Sequence, residues 1–217
     1  MKKLLIALTG SLLLAGCASQ QVAYDYAAFR ESQPTSILVL PPVNHSPDVK
    51  AGNSLLSQST MPLAESGYYV FPVSLTNETF RQNGMTVAED IQALPVNKLH
   101  QIFGADTALY LDITEYGTSY MVLSSETAVT AKAKLVDLRN GKTIWEGTAR
   151  ASSAEQKSNG GGSLVGMLVV AVVDQITNTV MDKGHDIAGI TSFRLLSAGK
   201  PNGILYGPYS PKHNTQQ

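Results

Sequence analysis

The stretch Ser36-Ile37-Leu38-Val39-Leu40-Pro41-Pro42 decides the fold. Four consecutive apolar residues, without polar alternation, are typical of a strand that is buried on both faces of a sheet. Pro41 ends this strand, because the proline ring removes a backbone donor and fixes φ. The stretch therefore predicts a buried strand at the start of an α/β domain.

The segments that follow predict a strand, a helix and a second strand. Ala51 to Gly67 has helical spacing of its leucines, with Pro62 expected to kink or restart the helix. Tyr68 to Val73 predicts the second strand, and this order favours a parallel pair with a right-handed crossover. Ser74 to Phe103 then predicts a set of short helices.

The middle of the chain predicts antiparallel strands. Ala105 to Glu115 alternates apolar and polar residues, as a strand with one wetter face does. Val122 to Arg139 and Lys142 to Ala154 are two longer strands around Asn140-Gly141, with Trp145 in the core. Asn-Gly supplies the positive φ values of a type I′ turn. The predicted class is α/β (α+β): a mixed sheet flanked by helices, with a long β-hairpin.

The last third of the chain predicts helices and a tail. Ser158 to Gly162 is expected to be a flexible link, and Ser163 to begin a helix that runs to about Lys183. Gly184 is expected to stop it, and His185 to Leu196 to form a last helix or an irregular segment. Residues 197–217 are expected to form a surface tail.

The apolar run Leu164 to Val173 leaves two interpretations open. A helix of this length covers only about 15 Å, which is half of a bilayer's hydrocarbon thickness, so burial against the sheet is favoured. The preceding glycines would also let the helix leave the body, either to enter a membrane or to form an oligomer. Homo-oligomer formation therefore stays open.

The amino terminus has the three parts of an export signal. Lys2 and Lys3 precede the apolar run Leu4 to Leu14, which is shorter than the roughly 20 residues that span a bilayer. Leu14-Ala15-Gly16-Cys17 resembles the lipobox of bacterial lipoproteins, in which the cysteine thiol receives diacylglycerol and cleavage precedes the cysteine. Cys17 is therefore the predicted lipidation site. The anchor is expected to be stable, because two or more acyl chains hold a protein stably at a membrane.

These features give the predicted organisation. It comprises a signal peptide (1–16), a lipidated tether with an aromatic patch that docks on the domain (17–35), the α/β domain (36–196) and a tail (197–217). Fully extended, the 17 residues from Ala18 to Pro34 would reach about 55 Å. Ala18 is not an aspartate, the residue that retains enterobacterial lipoproteins at the inner membrane. The predicted location is therefore the outer membrane, with the domain facing the periplasm.

Composition excludes several classes of protein. Removal of residues 1–16, with Lys2 and Lys3, leaves 201 of the 217 residues and changes the formal net charge from −1 to −3. A nucleic-acid partner would require a basic surface, so none is expected. Acylation consumes the single cysteine, and the domain is therefore expected to contain no disulfide and no cysteine metal site.

The loop after the first strand is the best candidate for a ligand or partner site: it contains Asn44, His45, Ser46 and Asp48. Ligands of open α/β sheets bind at the carboxyl ends of strands, where this loop is expected. His100, His185 and His213 are scattered, without metal-ligand spacing, so no metal or cofactor is expected. Asp112 and Glu115 point to opposite faces of their strand, which argues against a carboxylate pair.

Two stretches resemble a known group of proteins. With the lipobox, Ile37 to Asn44 and Glu65 to Val73 are similar to bacterial lipoproteins of unknown function. That group resembles the TolB amino-terminal domain, the curli-secretion lipoprotein and the lipoprotein activators of penicillin-binding proteins. The resemblance implies a TolB-like α/β domain without enzymatic activity that acts in envelope assembly, transport or secretion through an envelope protein partner. The alternative is a periplasmic hydrolase or ligand-binding protein that uses the loop at His45.

Overall fold

The computed structural model describes residues 24–121, 124–155 and 183–216. Three predictions lie outside these ranges: the signal peptide with Cys17, the glycine-rich link from Ser158, and the helix from Ser163. The elements that the structure describes are α1 (Ala27–Ser32), β1 (Ser36–Val39), β2 (Val43–Asn44), α2 (Ala51–Glu65), β3 (Tyr69–Val70), α3 (Val73–Gln82), α4 (Ala88–Gln92), α5 (Val96–Phe103), β4 (Thr107–Met121), β5 (Ser124–Asp137), β6 (Thr143–Ser152) and α6 (Lys183–Leu196).

These strands form one mixed sheet in the order β3-β1-β4-β5-β6, and β2 also pairs with β4. β1 is parallel to both β3 and β4, with Val39 opposite Leu109. β4, β5 and β6 are antiparallel neighbours and make up half of the six strands, and the predicted hairpin consists of β5 and β6. The predicted class, a mixed sheet flanked by helices, is confirmed.

The interior strand β1 is buried on both faces, as its sequence predicts. Ile37 and Val39 belong to a core between the sheet and helices α2 and α6. Leu38 and Leu40 belong to a second core under α3, α4 and α5. The second core extends along β4 only as far as Ala108 and Tyr110, because the later residues of that face are polar. Trp145 is buried, as predicted.

Several predicted boundaries are wrong. The second strand comprises only Tyr69 and Val70, and Val73 already begins α3 after the proline at 72. Helix α2 continues through Pro62 without a restart. β4 continues well past Glu115, because β5 supplies pairing partners as far as Met121. Gly184 lies within α6 and does not stop a helix.

The turn of the hairpin is not type I′. Gly141 has a φ of +77°, but Asn140 does not have the positive φ that this turn requires. The Gly141 backbone N donates to the carbonyl oxygen of Asp137, which closes a longer turn. The hairpin prediction is confirmed, and its turn type is corrected.

Two segments that the sequence places outside the domain contact its core. The predicted docking of the aromatic patch is confirmed for Phe29, which is 4% exposed, and for Tyr24 and Tyr26, which pack beside it. In the predicted tail, Ile204 is 1% exposed, and the Leu205 carbonyl accepts a hydrogen bond from the hydroxyl of Tyr68. The tail is therefore not simply a surface segment.

Candidate functional site

The predicted loop at His45 is closed by its own polar side chains. The Asn44 amide donates to the carbonyl oxygen of Asp48 at 2.8 Å, and its oxygen accepts from the Ser46 hydroxyl at 2.7 Å. The Asp48 carboxylate accepts from the backbone N of Lys50 at 2.8 Å. Three of the four candidate side chains therefore stabilise the loop, which leaves His45 as the group that can face a ligand.

His45 lies beside Asp112 because β2 pairs in parallel with β4. The His45 backbone N donates to the carbonyl oxygen of Ile113, and its Nε2 lies 3.4 Å from Asp112 Oδ1. The two side chains are 59% and 48% exposed, so solvent screens their interaction. The neighbouring depression, about 670 Å³ between residues 45–49 and 114–119, is broad and open.

Asp112 also belongs to an open groove of about 480 Å³ on the polar face of β4, β5 and β6. Tyr24 forms one wall and Gln92 the other. Gln92 is fixed there, because its amide donates to the carbonyl oxygens of Pro41 and Leu111. The polar and charged residues of the floor are Tyr110, Asp112, Lys132, Lys134, Glu146 and Thr148.

The groove floor carries charges of both signs, arranged by strand alternation. Lys132 lies opposite Asp112 in the sheet and also opposite Thr148. Lys134 lies opposite Glu146, and its Nζ is 5.2 Å from the centre of the Tyr110 ring. This surface can contact a partially charged or zwitterionic group over a wide area. It does not enclose a small substrate.

A second polar cluster joins α2 to α6. Ser54 Oγ lies 2.8 Å from His185 Nδ1, and the Gln58 amide lies 2.8 Å from His185 Nε2. The Tyr116 hydroxyl donates to Ser54 Oγ. A hydroxyl and an imidazole at this distance resemble a nucleophile and its base, but Ser54 is only 8% exposed and an amide, not a carboxylate, holds the imidazole. The cluster therefore fits a structural role between the helices.

Several carboxylates in the described part of the chain have lowered pKa values, and Asp106 and Glu115 show the structural reasons. Burial would raise the pKa of Asp106, but hydrogen bonds from the backbone and hydroxyl groups of Thr35 and Ser36 outweigh burial and lower it. The pKa of Glu115 is lowered by a hydrogen bond from the Thr130 hydroxyl and by Arg150. Both carboxylates are ionised partners in the fold and not general acids.

A more enclosed cavity, of about 380 Å³, lies between α1 and the carboxyl-terminal segment. Phe29, Tyr68 and Leu205 give it an apolar wall, and Arg30 and His213 also line it. It lies apart from the predicted loop at His45.

The described ranges show neither a metal site nor a membrane span. Within them, no three histidine, cysteine or acidic residues are close enough together to hold a metal ion. No helix in this part of the chain is both long enough and apolar enough to cross a membrane.

The site that the sequence predicts at His45 stays a prediction, and the sequence did not predict the groove. Tyr24 and Gln92 reach the groove from segments that are distant in sequence, so residue spacing along the strands does not predict them. The sequence argues against a carboxylate pair of Asp112 and Glu115, and in the structure the ionisable neighbour of Asp112 is His45. The parallel pairing of β2 with β4 creates that contact, and the sequence did not predict a strand at Val43 and Asn44.

The mixed sheet, its open polar face and the docked amino-terminal segment define an α+β domain with helices on both faces of the sheet. The chain belongs to the family described as "Putative lipoprotein GNA1162-like", whose sequence model matches residues 24–209. The predicted resemblance to a lipoprotein family is thereby confirmed. The matched range includes the docked segment and most of the carboxyl-terminal segment.

Two relatives from Neisseria meningitidis agree with this assignment. The chain is 50% identical over 209 residues to "Putative lipoprotein NMB1124/NMB1162" of Neisseria meningitidis serogroup B, covering 96% of each chain. It is 55% identical to the crystal structure of lipoprotein GNA1162 from N. meningitidis, with a TM-score of 0.54, over 67% of this chain and all of that one. The carboxyl-terminal domain of LpoB from Salmonella enterica is 18% identical, with a TM-score of 0.35, over 67% of this chain and 93% of that one.

Proposed function

We propose that this lipoprotein is anchored in the outer membrane through Cys17, faces the periplasm, and acts as a non-enzymatic interaction module. Its role is to support assembly, transport or secretion of envelope components. The lipobox, the absence of an aspartate at position 18 and membership of a lipoprotein family support the anchor and its location.

The observation that carries the non-enzymatic part of the proposal is the open, mixed-charge groove on the sheet, which does not enclose a small substrate. Lys132, Lys134 and Glu146 are all exposed there, in an arrangement that suits contact between surfaces. A hydrolase instead needs a nucleophile within hydrogen-bond reach of an accessible base. The hydroxyl nearest in sequence to His45 is that of Ser46, which donates to Asn44.

The opposite edge of the sheet offers a second exposed surface. Tyr69 in the edge strand β3 is 52% exposed, and its ring packs edge-to-face on Phe71 at 5.2 Å. Phe71 contacts Phe103 in turn. Aromatic side chains are enriched at protein–protein interfaces, so this exposed edge suits contact with a protein partner.

The second candidate function is binding of a ligand, or its hydrolysis, at the loop of His45. Only the contact between His45 and Asp112 favours it. If it is correct, His45→Ala will abolish binding or turnover of that ligand, whereas an interaction module will keep its partner when this residue is changed.

The test is photo-crosslinking in cells with the acylated full-length protein. A photoreactive phenylalanine replaces Tyr69 at the sheet edge or Thr148 in the groove, and Gln82 at the end of α3 serves as the control position. We expect a discrete adduct with an envelope protein from Tyr69, and fractionation of the protein with the outer membrane. Ala18→Asp should shift the protein to the inner membrane. Wild-type protein in the inner membrane, or no adduct from Tyr69 or Thr148, would refute the proposal.

A further inference from the structure

The segment from Tyr24 to Ser32, called here the anchor segment, is fixed along the outer edge of β6. The Glu146 backbone N donates to the hydroxyl of Tyr24 at 3.0 Å. The Tyr24 backbone N donates to the side chain of Asn202, and the Tyr26 hydroxyl donates to the carbonyl oxygen of Gly203. These bonds place Tyr24, the first described residue, at the rim of the groove.

Docking of the anchor segment shortens the reach of the lipid anchor. Seven peptide steps separate Cys17 from Tyr24, and a fully extended chain of that length spans only about 25 Å. A free tether from Cys17 to residue 34 would span about 55 Å. The bilayer surface must therefore lie within about 25 Å of Tyr24, whatever conformation the seven residues adopt.

The groove lies at this short end of the tether, and its chemistry matches a phospholipid surface. Lys132 and Lys134 have no ion-pair partner in the part of the chain that the structure describes, and their long side chains can reach headgroup phosphates. Asp112 and Glu146 lie among them and suit the ammonium groups of zwitterionic headgroups. The tyrosines at positions 24 and 110 are of a type that favours the membrane interface.

We propose that the domain stands on the bilayer by its β6 edge, with the groove beside that edge tilted onto the phospholipid headgroups, so that the β3 edge points away from the membrane. This inference rests on the lipid anchor at Cys17 in the proposed function and adds an orientation to it. β3 and β6 are the two edges of the five-strand path, so about 19 Å separates them. The exposed aromatic edge at Tyr69 is thereby presented to partners in the periplasm.

The test measures the distance of each edge from a membrane. Because Cys17 is the only cysteine, the mature chain can be coupled through it to maleimide-lipid in vesicles of phosphatidylethanolamine and phosphatidylglycerol. A donor dye is attached to p-azidophenylalanine at Thr148 or at Tyr69, and the vesicles carry an acceptor dye on their headgroups. Because coupling is chemical, failure of acylation at Cys17 in cells would not affect the result.

We expect energy transfer from position 148 to exceed transfer from position 69 by about twofold, because a sheet that stands on its β6 edge places the two edges up to ~19 Å apart in height. A flexible insert of about 20 residues between Cys17 and Tyr24 raises the mean reach to about 29 Å and should bring the two signals closer together. Equal transfer from both positions with the natural tether, or greater transfer from position 69, would overturn the orientation.

Charge reversal tests the headgroup contact itself. The pair Lys132→Glu and Lys134→Glu should lower transfer from position 148, while Lys98→Glu on the exposed side of α5 should not. Unchanged transfer in the double variant would overturn the headgroup contact. A protein adduct from position 148 in cells, together with that unchanged transfer, would assign the groove to a protein partner instead.

Discussion

Docking of the anchor segment should depend strongly on Phe29. This side chain is 4% exposed in the core beside α2 and the sheet. Burial of a phenylalanine contributes about 1.5–3 kcal/mol by transfer from water. Its ring also packs edge-to-face on Tyr26 with centres 6.4 Å apart, a contact that adds about 0.5–1.5 kcal/mol.

We therefore expect Phe29→Ala to lower the free energy of unfolding by about 3–5 kcal/mol, because a cavity remains where the ring packed. In a domain of this size, that loss corresponds to a decrease in Tm of about 6–20 °C. The assay is urea and thermal unfolding of the mature chain with serine at position 17, which prevents acylation. Leu75→Ala, at a side chain 66% exposed in α3, should change the free energy by less than about 0.5 kcal/mol.

The reasoning would be refuted if Phe29→Ala lowered the free energy of unfolding by less than about 1 kcal/mol while a protease cleaved the variant within residues 24–35. That outcome would mean that the anchor segment detaches without affecting the body, because its contacts contribute little to the folded state. The bilayer could then lie farther from the groove than the docked geometry permits.

Three further predictions concern other parts of the chain. Cys17→Ser should leave an uncleaved precursor without diacylglycerol, measured by mass and fractionation; maturation to the wild-type mass would contradict the lipobox assignment. Gly141→Val should lower stability by about 1–3 kcal/mol, because φ is +77° there, whereas Asn140→Ala should cost less; an unchanged Tm would refute the strained turn. Burial raises the pKa of Asp137, but hydrogen bonds from Arg139 and Ser32 outweigh it and lower the pKa. The stability that Asp137 supplies is therefore present above its unfolded pKa of about 3.9 and lost as pH falls through its lower folded value. Asp137→Asn should flatten the acid dependence below about pH 4, and an identical profile would contradict this.

The sequence determined those features that depend on neighbours along the chain. The apolar run at Ile37 to Leu40 requires burial on both faces, and both cores use it. The alternation of apolar and polar residues along β4 and β5 places the polar side chains, including Lys132 and Lys134, on one face of the sheet. Asn140-Gly141 marks the hairpin, although the dipeptide alone did not determine the turn type, because the surrounding backbone bonds close a longer loop.

Only the tertiary structure decided which distant segments of the chain contact each other around the sheet. Tyr26 bonds to Gly203 across 177 residues, and Ser32 bonds to Asp137 across 105. His45 meets Asp112 only because the two-residue strand β2 pairs with β4. The periodicity of residues along one segment does not predict such contacts, because they depend on which distant segment packs against a sheet edge after the core has formed. Burial pattern is a property of the chain, whereas edge coverage is a property of the assembled sheet.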